Sequence, residues 1–146
     1  MSGYSNLWYS IKNHINEVRG IKNVGYADAN DSLKVDNRTM QIFILDVFLH
    51  EHRKKYGSGV FPLQGKNALH HKILMKYKWP LSVIREMSLN DSLFVLQDEL
   101  ILANLPEDAQ RYLSHQEGAV QIAFDDLQEH EWKPTIAEIF LQVQER

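Results

Sequence analysis

The middle of this chain is punctuated by Pro80 and Ser88, and these two residues decide where helix can run. Proline lacks an amide N–H and crowds the preceding residue out of helical geometry, so a helix arriving from upstream must end by Trp79. Leu69, Ile73 and Tyr77, with Leu74 beside them, form the apolar stripe of such a helix. Ser88 opens the next one. Leu89, Leu93, Leu96 and Leu100 recur at helical spacing, Phe94 and Ile101 widen the face, and Asp91 stands where a carboxylate favours the positive helix end. The stretch Lys66–Leu102 therefore reads as two core helices, antiparallel or steeply crossed. The short segment PLSVIREM, starting at Pro80, joins them.

The same reasoning extends outward. Tyr4, Leu7, Trp8, Ile11, Ile15 and Val18 give an amphipathic helix stopped by Gly20. Asp36 or Asn37 can cap MQIFILDVFL, which is apolar almost all round and so belongs in the middle of a domain. Its polar extension HEHRKKYG, ended by Gly57, favours helix over strand, and GSGVFPLQGKN reads as a connector. Pro106 with Glu107 and Asp108 starts a further helix that brings Leu105, Ala109, Tyr112 and Leu113 to the core and stops at Gly118. Val120, Ile122 and Phe124 then alternate as a brief extended segment. Pro134 opens the last helix, with Ile136, Ile139, Phe140 and Val143 as its stripe. Between the first two helices, Val24 and Tyr26, then Leu33 and Val35, alternate about Asp28–Asp31, a pattern compatible with a small β-hairpin near residues 23–36 or with a loop.

The fold expected is mainly α, a single bundle-like domain over residues 1–146 with about six helices. Its core is expected to hold Trp8, Ile11, Phe43, Val47, Leu69, Ile73, Leu93, Leu96, Ile139 and Phe140. With 146 residues, such a domain buries roughly two-thirds of the surface its unfolded chain exposes. The chain has no cysteine, which excludes a disulfide framework, a thiolate nucleophile and a cysteine zinc site. No apolar run approaches the ~20 residues of a membrane span, and the first residues lack a basic flank ahead of an apolar stretch, so the expected location is cytoplasmic.

Few residues suggest chemistry. On a helix Asp46, His50 and Arg53 share one strip, where a carboxylate can orient an imidazole beside an anion-binding guanidinium; a plain solvated ribbon gives the same spacing. His50 and His52 diverge on a helix and make a poor chelate, His70 falls within an apolar face, and His71 points away toward Met75 and Lys78. Gly59 and Gly65-Lys66 are spaced wrongly for a phosphate loop, and Asn67 replaces its hydroxyl residue. Asp28, Asn30 and Ser32 open like a calcium loop, but Leu33 and Thr39 stand where glycine and glutamate are required. No metal and no cofactor are expected.

The net charge of −3 conceals a polarised chain. His52–Ile84 contains no acid but carries Arg53, Lys54, Lys55, Lys66, Lys72, Lys76 and Lys78; Glu86–Trp132 is acidic, with Arg111 as its one strong base. The first functional expectation is a non-catalytic protein-binding module, such as an immunity-type inhibitor or small regulatory adaptor. It would meet a basic partner through Asp125, Asp126, Glu129, Glu131 and Trp132. The alternative is nucleic-acid binding through the basic segment 53–78, with Tyr56, Tyr77 and Trp79 available for stacking; its counter-reading is that these cations pair with the chain's own acidic half. A small hydrolytic enzyme built on Asp46 and His50 comes third, and a leftover apolar face would equally suit a homodimer.

Overall fold

The computed structural model describes residues 3–21, 29–116 and 122–144. Among them there are seven α-helices and no strand: α1 (Gly3–Arg19), α2 (Ala29–Tyr56), α3 (Lys66–Tyr77), α4 (Leu81–Glu86), α5 (Leu89–Val95), α6 (Glu107–Leu113) and α7 (Pro134–Gln144). Single 3₁₀ turns lie at Leu102–Asn104 and Glu129–Glu131. PLSVIREM supplies the separate short helix α4. No helix among the described residues is long and apolar enough to cross a membrane.

Helix α2 is the axis of the molecule, packed by α1, α3 and α7, while α1 and α7 also lie against each other. Its near-continuous apolar run is buried on several sides: Val35, Ile42, Phe43, Leu45, Val47 and Leu49 are each almost inaccessible. One cluster of buried side chains draws on all seven helices. At its centre Phe43 stacks on Tyr112 with ring centroids 5.6 Å apart, and Tyr4 and Trp8 lean on both rings.

The helix boundaries follow local chemistry. Gly20 takes a left-handed conformation (φ 65°), its N–H reaching Glu17 O and the Ile21 N–H reaching Asn16 O, the paired bonds that close a glycine-stopped helix. Ser88 Oγ accepts from Asp91 N at 3.0 Å, so the cap read from sequence is formed. At the end of α2, Gly57 donates to Arg53 O, and a Cβ there would sit 2.8 Å from that oxygen, closer than any side chain tolerates.

Three expectations are corrected. Helix α2 begins at Ala29, so Leu33 and Val35 are helical and form no hairpin strand; Val24 and Tyr26 lie outside the described residues. The reason is tertiary: Val35, Thr39 and Ile42 share a buried helical stripe, and that burial overrides the local turn preference. Helix α5 ends at Val95, and the chain goes on in turns through Glu99. The Tyr77 hydroxyl donates to Val95 O, the carbonyl a continuing helix would offer Glu99 N, and Glu99 N bonds Leu96 O instead. Phe94, still within α5, and Ile101 face outward while Leu96 is buried, Leu93 partly so. In α7 the buried face runs through Ala137 and Leu141 with Phe140 half-buried, leaving Ile139 60% exposed instead of in the core.

Candidate functional site

The acidic segment before α7 forms a clasp. Glu131 is 1% exposed. Arg19, from the last turn of α1, donates Nε to its Oε1 at 2.7 Å and Nη2 to its Oε2 at 3.0 Å; Arg38 of α2 and the Gln128 N–H also reach Oε2. Asp126 accepts from Arg19 through its carboxylate, and its backbone carbonyl receives both arginines at 2.8 Å. Phe124 lies beneath Arg19, whose guanidinium carbon is 3.7 Å from the ring centroid. Hydrogen bonding to Glu131 raises the pKa of Arg19, whereas burial lowers that of Arg38. Glu129 caps the start of α5 by accepting from Leu89 N at 2.6 Å. Of the five residues expected to face a partner here, Glu131 and Trp132 are thus buried and Asp126 and Glu129 are engaged; Asp125 is exposed.

Beside the clasp lies an open groove of about 330 Å³. Ile44, Leu93, Phe94, Leu100, Phe124 and Leu127 supply its apolar walls, and Asp125 and Asp126 stand on its edge. Phe94, inside α5, is 72% exposed there.

Asp46, His50 and Arg53 do share a helix, in a different setting from a surface ribbon. Asp46 is 2% exposed and accepts from the Trp132 indole Nε1 at 2.8 Å, so its recorded partner is an indole and not the imidazole of His50. Burial pushes the Asp46 carboxyl up to about 7, against the pull of that hydrogen bond and of Arg53. His50 and Arg53 line a second cleft, of about 360 Å³, with Lys54, Gly57 to Gly59, Pro62 to Gln64, and Glu138 of α7. Desolvation lowers the Arg53 pKa, opposed by the charges of Glu138 and Asp46.

The basic segment is partly neutralised from within. Lys72 pairs with Glu99 at 2.7 Å, Lys76 with both Asp98 and Glu99, and Lys54 with Glu51 at 3.1 Å. Lys55, Lys66 and Lys78 are exposed, Lys78 at the left-handed end of α3. His71 does not point away: its Nδ1 meets His52 Nε2 at 2.9 Å, with Tyr56 packed on both rings. Burial, reinforced by His71 and nearby cations, pulls His52 down to about 4. Desolvation also lowers His70, half-buried on α3. Among the described residues no group of three or more His, Asp or Glu is placed to hold a metal ion.

The residues that sequence reasoning missed are Arg19, Arg38, Phe124 and Glu138 as parts of these sites. The signal available for Arg38 was a cation two residues before the long apolar run; nothing local pointed to the others. No protein-family model, no curated protein and no solved structure matches the chain.

Proposed function

We propose that this protein is a non-catalytic binding module whose groove beside Phe94 receives an apolar segment of a protein partner flanked by basic residues. The observation that carries the reading is the exposed Phe94 on an apolar groove lined also by the exposed Asp125. Burying an aromatic anchor inside a polar rim is how most interfaces concentrate their binding energy, and an acidic edge selects cationic partners and speeds encounter. A regulatory or inhibitory role, by occlusion of the partner's own basic surface, follows from that chemistry.

The two other readings have less support. Lys72 and Lys76 are held by Glu99 and Asp98, which leaves the basic segment fewer cations for phosphates. Asp46 is enclosed and bonded to an indole, which deprives His50 of the carboxylate that hydrolytic chemistry would use.

The test is affinity capture from the native host's lysate, in nuclease-treated and untreated halves, with wild type and Phe94→Asp. The expected result is one protein retained in both halves by wild type, released as salt rises, and lost from the variant while its circular dichroism is unchanged. Equal retention by Phe94→Asp overturns the groove, and recovery of nucleic acid in place of protein overturns the module.

A further inference from the structure

Arg53 is half-buried, and its Nη2 is enclosed without a hydrogen-bond partner among the described residues. Its guanidinium forms no ion pair there either. An arginine fork removed from water usually has an oxyanion in it, because burial of an uncompensated charge is unfavourable. The nearest acid on the cleft wall, Glu138, has Oε1 occupied by the Gly65 N–H at 2.6 Å.

We propose that the cleft beneath residues 57–64 binds a small organic carboxylate, with Arg53 as its bidentate partner. Charge and shape select this class. Arg53 shares the cleft lining with the Glu138 carboxylate and with Lys54, which Glu51 already holds, so the cleft suits one negative charge better than two. Pro62 and Leu63 add an apolar wall for a short carbon chain. A cleft of about 360 Å³ is of the size small-ligand sites occupy. It shares no lining residue with the groove beside Phe94, so the two proposals stand or fall separately.

The experiment is an amide ¹H–¹⁵N NMR titration of the full chain with sodium butyrate, and in parallel with sodium acetate and sodium phosphate, at constant ionic strength set with chloride. Saturable movement of the Gly57 and Gly59 signals is expected with butyrate, and weaker binding with acetate. Arg53→Lys keeps the positive charge beside Asp46 and Glu138 but loses the fork, and should bind butyrate about tenfold more weakly. Absence of saturable movement with butyrate overturns the site. Unchanged affinity in a folded Arg53→Lys overturns the role of Arg53, and tighter binding of phosphate than butyrate overturns the carboxylate assignment.

Discussion

Glu131 and Asp46 are carboxylates removed from water to the same degree, 1% and 2% exposed, yet their surroundings treat them oppositely. Glu131 meets two guanidiniums and a backbone N–H; Asp46 meets one indole, with Arg53 acting only from a distance. Burial alone therefore says little about what a charge does in this protein. The number of charged donors that arrive with it decides. Where both arginines converge, the carboxylate locks α1, α2 and the segment before α7 together. Where they are missing, the carboxyl drifts toward its neutral form near pH 7.

Breaking the stronger centre should give the largest effect. Glu131→Gln leaves Arg19 and Arg38 facing each other without their shared counter-charge, and urea unfolding should show a loss of about 3–5 kcal/mol, the scale of a broken buried ion pair. The same exchange at Asp46 should do the reverse. Its folded pKa is raised from 3.8 to about 7, so the native state holds the proton more tightly than the unfolded chain. The associated stability is complete below pH 3.8 and is lost as pH rises through 7. Asp46→Asn, which can still accept from Trp132, should be more stable than wild type at pH 8 by on the order of 2 kcal/mol, the advantage vanishing in acid. A variant that is less stable at pH 8 would mean that Asp46 is ionised and needed by Arg53.

The smallest effect sharpens the contrast with a base on the same helix. His52 is pulled from 6.5 to about 4, so it favours the folded state above pH 6.5 and withdraws that support as pH falls toward 4. Across this window it opposes Asp46, and wild-type stability should change little with pH. His52→Gln keeps a partner for His71 but removes the titration, and its melting temperature should rise between pH 6.5 and pH 4, exposing the Asp46 contribution. A flat profile in that variant would remove Asp46 from the account.

Local chemistry was legible in the sequence and distant pairing was not. The Ser88 cap, the glycine stop at Gly20 and the end of α3 before Pro80 each depend on atoms within a few residues, and all were readable. The length of α5 was not, because the group that ends it is a hydroxyl from Tyr77 on another helix. Val35 looked like half of a strand pair because its burial comes from tertiary packing, invisible in a four-residue window. In α7 the eye follows large side chains, but the close approach of α1 and α2 favours the face carrying small Ala137, which turns Ile139 outward. For the candidate sites, helical spacing put His50 and Arg53 on one strip, and both line one cleft, while the acids before Trp132 read as a surface for a partner. The two arginines that hold Glu131 stand 93 and 112 residues earlier, and nothing in the run announces them.

The clasp at Glu131 also has a consequence during translation, because its partners leave the ribosome far apart. Two of the surfaces that cover α1, the segment 126–131 and α7, are synthesised more than a hundred residues after it. Until then Arg19 has no carboxylate and part of the face bearing Leu7, Trp8 and Ile11 has no cover. Translation at ~5–20 residues per second leaves the nascent helix in that condition for several seconds, long enough for a chaperone to bind it. The last cover of α1 therefore arrives only once α7 has been made.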